Sequence, residues 1–310
     1  MAGRVRAGRI EEDEARVALE RAALRAEARL GDSAGARLSR EQFWALDARA
    51  VRSVLDRMLM GQRPADGLEI LRECGALAAL LPEVDALVGF SDAEWRHKDV
   101  WKHTKQVVEQ SVAVLGVRWG ALLHDIGKVK TRRIEPNGEV HFIGHAEVGA
   151  RMFDKLAHRS GWFVEDRALR EQVRFLIQHH LRASQYDGSW TDSAVRRFAR
   201  EMGAYLEDLL RLSRADITTK RPEKRRRGIA LIDELAARIT ELAAEDAVVP
   251  PLPSGLGNDL MQRFGLPPSK RIGEIKQALE LAVHAGELEP HQEAEYYVRF
   301  VSDQRSRFGL

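Results

Sequence analysis

Ala121-Leu-Leu-His-Asp-Ile-Gly-Lys128 is the stretch on which the reading of the fold turns. An apolar run of helical character delivers His124 and Asp125 side by side, then ends in Gly127 and Lys128. Working outward, the pattern over 100–126 predicts a helix with Val100, Val107 and Val114 on one face and Val108, Val112 and Leu115 beside them. So many apolar positions predict that this helix is buried. His103 falls on the valine face, at offsets of three and four from Val100 and Val107. Asp216 follows Leu209 and Leu212 by seven and four residues, which puts a carboxylate on another apolar face. An isolated buried carboxylate is too costly to stay ionised, so it needs a partner or a metal.

A neutral imidazole nitrogen and a carboxylate oxygen together suit Mn, Fe, Co, Ni, Zn or Mg. His103, His124, Asp125 and Asp216 therefore form a candidate ligand set for one divalent ion, with two carboxylates to neutralise it. A second set lies close by. His145 shares a helical face with Val148, Met152 and Leu156, and His180 lines up with Leu169, Val173 and Leu176. With Asp125 bridging, His145 and His180 are candidates for a second ion or for direct contact with a phosphate, as is Lys128. His179 sits off the apolar stripe and ranks below His180. A single histidine on an apolar face is more often a core residue than a ligand; inward placement recurring around one motif is what favours a metal.

Histidine placement agrees. Eight of the ten histidines lie between His97 and His180. His97, His141 and His158 read as structural or surface residues, and His284 and His291 fall outside the cluster.

The chain has 310 residues, 44% hydrophobic and 31% charged, a balance that excludes a disordered or fibrous protein. Its aromatic share of 6% argues against a β-sandwich. The single cysteine, Cys74, excludes a disulfide framework and Cys-rich zinc modules, and points to the cytoplasm. No run approaches the roughly 18 apolar residues of a membrane span, so no membrane partner is expected. A net charge of +2 gives no global case for nucleic acid. Locally, residues 196–227 hold 11 Lys/Arg against five Asp/Glu, a net of +6 beside Asp216. Such a run is usually a solvated face, but next to a metal it fits a polyanion. Arg214, Lys220 and Arg225 are the candidates for RNA or phosphate contact. Trp95, Trp101, Trp119 and Trp162 show no stacking-platform spacing and read as core.

The organisation that follows is all-α. Residues 1–40 read as an exposed helix or mobile extension without chemistry, 41–95 as short amphipathic helices, 96–248 as the metal-bearing bundle, and 249–310 as two helices around GLPPSKRIGE with a polar tail. Further helices are predicted at about 145–158, 166–181, 192–200, 203–219 and 226–245, and a hairpin at TRRIEPNGEVHFIGH, around Pro136-Asn137-Gly138. Neither GxGxxG nor GxxxxGK[ST] occurs, so dinucleotide and P-loop readings lack their first requirement.

His103, His124-Asp125 and Asp216, in the order H…HD…D, resemble the signature of the HD-domain metal-dependent phosphohydrolases. The stretch from about 50 to 300 is further similar to the C-terminal part of bacterial CCA-adding enzymes (tRNA nucleotidyltransferases). RMLMGQRPADGLEILRECGALAALLPEV resembles their helical neck, GHAEVGARMF the element after the HD motif, and GLPPSKRIGEIKQALELAVHAGELE their C-terminal helical segment. The resemblance implies an HD-domain helical bundle with a neck before it and a small helical segment after it. The Gly-Gly turn and paired acids of the polymerase head do not appear, so nucleotide addition by this chain alone is not expected. What the resemblance implies instead is hydrolysis of 2′,3′-cyclic phosphates, 2′-nucleotides and phosphate esters.

The function expected is thus a metal-dependent phosphohydrolase, a phosphodiesterase or phosphatase acting on nucleotides or RNA ends, with 2′,3′-cyclic phosphate first. Two alternatives stand beside it. One is hydrolysis of a free dNTP or alarmone; the other is a tRNA-like RNA-binding subunit that partners a separate nucleotidyltransferase head.

Overall fold

Apolar stripes at helical spacing produce an all-α protein, as the sequence predicts. The computed structural model describes residues 2–28, 35–90, 99–137, 139–247 and 250–310, with side chains from Glu12 onward except that of His284. Trp95, His97 and Gly138 lie outside the described residues. Two compact units are present, Met1–Thr240 and Glu241–Leu310.

The first unit begins with α1 (Ala2–Ala26), α2 (Arg40–Trp44), α3 (Ala48–Met60), α4 (Pro64–Glu73), α5 (Ala76–Leu80) and α6 (Pro82–Asp85). α1 is not the exposed helix expected from sequence: Ala15, Ala18, Leu19, Ala22 and Ala26 are buried where it packs on α3 and α4. The stripe is nearly all alanine, whose small side chains let backbones approach closely but carry little hydropathy signal between the arginines and glutamates. On α3 the stripe Val51, Leu55 and Met58 is buried, and the Asp47 carboxylate caps the helix by accepting from the Ala50 N–H at 2.9 Å.

The bundle that follows consists of α7 (Val100–Gln110), α8 (Leu115–Leu123), α9 (Lys128–Thr131), the hairpin β1 (Arg133–Ile134) and β2 (Val140–His141), α10 (His145–Ser160), α11 (Arg167–His179), α12 (Asp192–Met202), α13 (Leu206–Asp216) and α14 (Pro222–Ala247). The strands pair antiparallel, Arg133 opposite His141 and Ile134 opposite Val140. α8 is the hub. Every residue from Gly116 to Leu123 is buried, and α7, α11 and α13 pack around it. α10 packs in turn on α11 and α9.

The single helix predicted over 100–126 is two helices. The Ser111 hydroxyl donates to the Val107 carbonyl at 2.7 Å, and the buried Arg118 Nε donates to the Ser111 carbonyl at 2.9 Å. Arg118 takes the Ser111 carbonyl that a continuous helix would pair with a later N–H, and the chain turns at 111–114 and leaves Val112 46% exposed. Apolar periodicity runs through the break and hides it.

The boundary between the units falls within α14. The second unit holds α15 (Leu256–Phe264), α16 (Lys270–His284) and α17 (Ala294–Asp303) around a core of Leu256, Leu260, Leu279, Tyr297 and Val301. The closing segment is therefore not a polar tail. Tyr297, Val298 and Val301 fit one helical face among charged residues, and Phe308 is buried beyond them. The Tyr297 hydroxyl finds its partner in the Glu289 carbonyl at 2.8 Å.

Candidate metal centre

Helix ends bring the donors together. His124 caps the C-terminus of α8 and Asp125 follows it; His180 caps the C-terminus of α11; Asp216 is the last residue of α13; His145 is the first of α10. His103 sits one turn into α7, whose N-cap Asp99 accepts from the Lys102 N–H at 3.1 Å. Five of these six side chains are buried, and Asp216 is 26% exposed. A carboxylate at the C-terminus of α13 faces the negative end of that helix, so it calls for a cation.

Gly127 allows the close approach that assembles the two halves. A β-carbon there would stand 2.0 Å from the His145 carbonyl oxygen and 2.7 Å from the Gly149 nitrogen. Only glycine lets the turn after Asp125 lie against the start of α10 and so bring His145 to the cluster.

The first donor group is His103, His124, Asp125 and Asp216. His103 Nε2 lies 3.2 Å from His124 Nε2, 3.0 Å from Asp216 Oδ1 and 3.4 Å from Asp125 Oδ2. His124 Nε2 lies 3.2 Å from Asp125 Oδ2 and 3.6 Å from Asp216 Oδ1. In the second group His145 Nε2 is 3.1 Å from His180 Nε2, and Asp125 Oδ1 is 3.5 Å from the first and 4.0 Å from the second. Asp125 thus turns one oxygen to each group. Donors about 2.1 Å from one ion stand about 3.0 Å apart in an octahedron and about 3.4 Å apart in a tetrahedron. His103, His124 and Asp125 match these edges at 3.2–3.4 Å, and Asp216 lies 3.0 Å from His103 and a looser 3.6 Å from His124; the second group matches them between the histidines and is looser toward Asp125.

The far side of each ring decides what the near side offers. His124, His145 and His180 direct Nδ1 at the carbonyls of Ala121, Phe142 and Ile177, each at 2.8 Å. A carbonyl only accepts, so Nδ1 carries the hydrogen and the neutral ring presents a bare lone pair at Nε2. Two bare lone pairs, those of His145 and His180, then face each other, which a cation or a shared proton relieves. His103 differs, since its Nδ1 meets the Thr218 hydroxyl at 2.9 Å and that group can donate or accept.

Burial lowers the affinity of His103, His145 and His180 for protons, His180 to a pKa of about 4, which leaves them neutral and competent as ligands. Burial also opposes the charging of His124, but the adjacent Asp125 carboxylate outweighs it and raises that pKa. Asp125 and Asp216 run against their burial: His124 and Lys128 hold the first, and His103 and His124 the second, well below the usual carboxylate range. Lys128 Nζ lies 2.7 Å from Asp125 Oδ2, so the lysine read as a phosphate ligand is engaged with the bridging carboxylate.

Other sequence candidates fall elsewhere. His179 joins neither donor group; it is half-buried, with its ring 4.3 Å from that of Phe175. Arg214 is held by Asp233 at 2.7 Å, whereas Lys220 and Arg225 are exposed. His141 and His158 are exposed, and Trp101, Trp119 and Trp162 are buried in the core. Sequence reasoning missed Thr218 and the three carbonyls behind the histidines. Thr218 has no periodic relation to any motif, and a backbone carbonyl has no sequence signal at all.

Comparison with known proteins agrees with this geometry. Residues 100–238 match the HD domain. The chain is 32% identical over 264 residues to the CC-adding tRNA nucleotidyltransferase of Thermus thermophilus, covering 83% of this chain and 57% of that protein. It is 31% identical over 257 residues to the A-adding tRNA nucleotidyltransferase of Deinococcus radiodurans, covering 80% and 57%. A multifunctional CCA protein of Variovorax paradoxus is 41% identical over 124 residues, 38% of this chain and 29% of that one. The chain spans rather more than half the length of the first two relatives. The donor groups lie inside the matched region: residues 100–238 are an HD domain, and through that region and its flanks the chain is homologous to the CC- and A-adding tRNA nucleotidyltransferases.

Proposed function

We propose that the protein is a metal-dependent phosphohydrolase acting on nucleotides or RNA ends, with 2′,3′-cyclic phosphate the leading substrate group. One observation carries the reading: Asp125 turns one oxygen to each of two donor groups, and His124, His145 and His180 direct Nε2 toward them while a backbone carbonyl holds each Nδ1. That donor set fits Mn, Co, Ni, Fe, Zn or Mg. A divalent ion held there supplies Lewis acidity toward a phosphoryl oxygen and makes water a nucleophile near neutral pH. His103, His124, Asp125 and Asp216 hold one ion, and His145 and His180, with Asp125, hold a second. Lys128 fixes Asp125 and places a positive charge beside the phosphoryl oxygens. Lys220 and Arg225 add charge for a polynucleotide backbone.

The names of the relatives favour RNA, and tRNA in particular, as the substrate-bearing molecule. A cytoplasmic setting agrees with that reading; among the described residues no helix is long and apolar enough to cross a membrane, and Cys74 is a free buried thiol. Turnover on 2′,3′-cyclic AMP, a dNTP and a short RNA ending in cyclic phosphate tests the proposal. Preference for the cyclic phosphates supports it, and preference for the dNTP transfers it to free-nucleotide hydrolysis. Salt-sensitive RNA binding with no turnover on any of them would point to an RNA-binding subunit instead.

A further inference from the structure

A cleft of about 400 Å³ lies outside the histidine cluster, lined from α6, α9 and α10. Val129, Val148 and Met152 give it an apolar floor, and Lys130, Arg151 and Lys155 stand on its rim. All three cations are exposed, and among the described residues none has an acidic partner. Two acids beside the cleft are already engaged. Glu83 in the lining is held by Arg159 through both oxygens, at 2.5 and 2.9 Å, and Asp154, next to Lys155, pairs with Arg174 at 2.9 Å. The cleft thus holds three cations without an ion-pair partner among the described residues above an apolar floor, and the one nearby acid left open, Glu147, is outside its lining.

Such a lining complements a ligand with flat apolar faces and regularly spaced negative charges, which is the chemistry of single-stranded nucleic acid. Its position relative to the metal centre matters as well. α10 begins at His145, and Val148 to Lys155 lie about 5–15 Å further along the same helix axis. A strand whose end reaches His145 has its next nucleotides within reach of this cleft.

We propose that the cleft between α6, α9 and α10 is a single-stranded RNA subsite: Lys130, Arg151 and Lys155 take the phosphates, and Val129, Val148 and Met152 take a base face. The direction of the strand rests on the phosphohydrolase reading above; the binding itself does not.

The test uses the full chain and the triple variant Lys130→Glu, Arg151→Glu, Lys155→Glu, with a short fluorescein-labelled single-stranded RNA followed by anisotropy. Losing three phosphate contacts should weaken binding by about tenfold or more and flatten the slope of log affinity against log salt by about 2. The ratio of RNA to 2′,3′-cyclic AMP turnover should fall with it. Unchanged RNA affinity and slope overturn the proposal, as does displacement of the RNA by poly-glutamate at the same charge concentration, which would make the cleft an acidic-peptide site. If the unaltered protein turns over no phosphoester, the phosphohydrolase reading fails while the anisotropy result still decides the cleft. Should the triple variant fail to fold, acetylation footprinting of the unaltered protein decides it. RNA should protect Lys130 and Lys155 there, and equal labelling with and without RNA overturns the proposal.

Discussion

His145 and His180 face each other Nε2 to Nε2 at 3.1 Å while each gives its Nδ1 hydrogen to a backbone carbonyl behind it. Neither neutral ring has a hydrogen to offer the other. In the low-dielectric interior such a facing pair calls for a cation or a shared proton close to both nitrogens, and the donor set around Asp125 favours the cation. His180→Gln should therefore lower the metal content of the purified protein by about one ion per chain and leave the ion at His103, His124 and Asp216 in place. Asp125→Ala removes the shared ligand, and elemental analysis should find both ions lost.

Among the described residues Thr218 is the one side chain behind a histidine of the donor groups, accepting from or donating to His103 Nδ1 at 2.9 Å. Partners of this kind orient the ring, and their loss typically costs 10–100-fold in metal affinity. Thr218→Val keeps the shape and removes the hydroxyl, so its Mn affinity should fall by about that factor. Thr218→Ser should restore most of it. Equal affinity in all three proteins, measured by titration calorimetry, would show that the hydroxyl does not position His103.

Gly127→Ala places a methyl group 2.0 Å from a backbone oxygen, where no flexible side chain can yield. Overpacking of this kind costs about 1–3 kcal/mol. Urea unfolding should register that loss, and the second donor group should lose ion along with it, because α10 has to shift away from Asp125.

Protonation gives a stability test that needs no substrate. His180 in the folded protein titrates at about 4, below the 6.5 of an ordinary histidine. The unfolded chain therefore takes up this proton first, and stability falls as pH drops from 6.5 toward 4, by up to about 3 kcal/mol. Above 6.5 the contribution is constant. Asp125 and Asp216 act in the same direction lower down, since their depressed pKa values give stability that is lost as pH falls through the carboxylate range. Thermal melts of chelator-treated protein should show the decline between pH 6.5 and 4, and His180→Gln should make it shallower while the share of His103 and His145 remains.

The donors were legible in sequence because each combines a metal-binding side chain with an apolar helical stripe. His103 shares its face with Val100 and Val107, and His180 shares its own with Val173 and Leu176; all four of those neighbours are buried. The break at Ser111–Val114 was not legible, because it depends on Arg118 reaching back to a carbonyl while the apolar pattern continues unbroken. The buried faces of α1 and α17 were hidden by the charged residues that share those helices. The cleft rimmed by Lys130, Arg151 and Lys155 joins residues on two helices, and its charge becomes visible only when their lack of acidic partners is seen in three dimensions.

On the proposed function, two donor groups sharing Asp125 support phosphoester hydrolysis. This is tested most directly by following turnover of 2′,3′-cyclic AMP as Mn is added back to chelator-stripped protein. The stripped protein should show no turnover, and activity should rise with added ion and level off at about two ions per chain. Full turnover without added ion, or two ions bound with no hydrolysis, would contradict it.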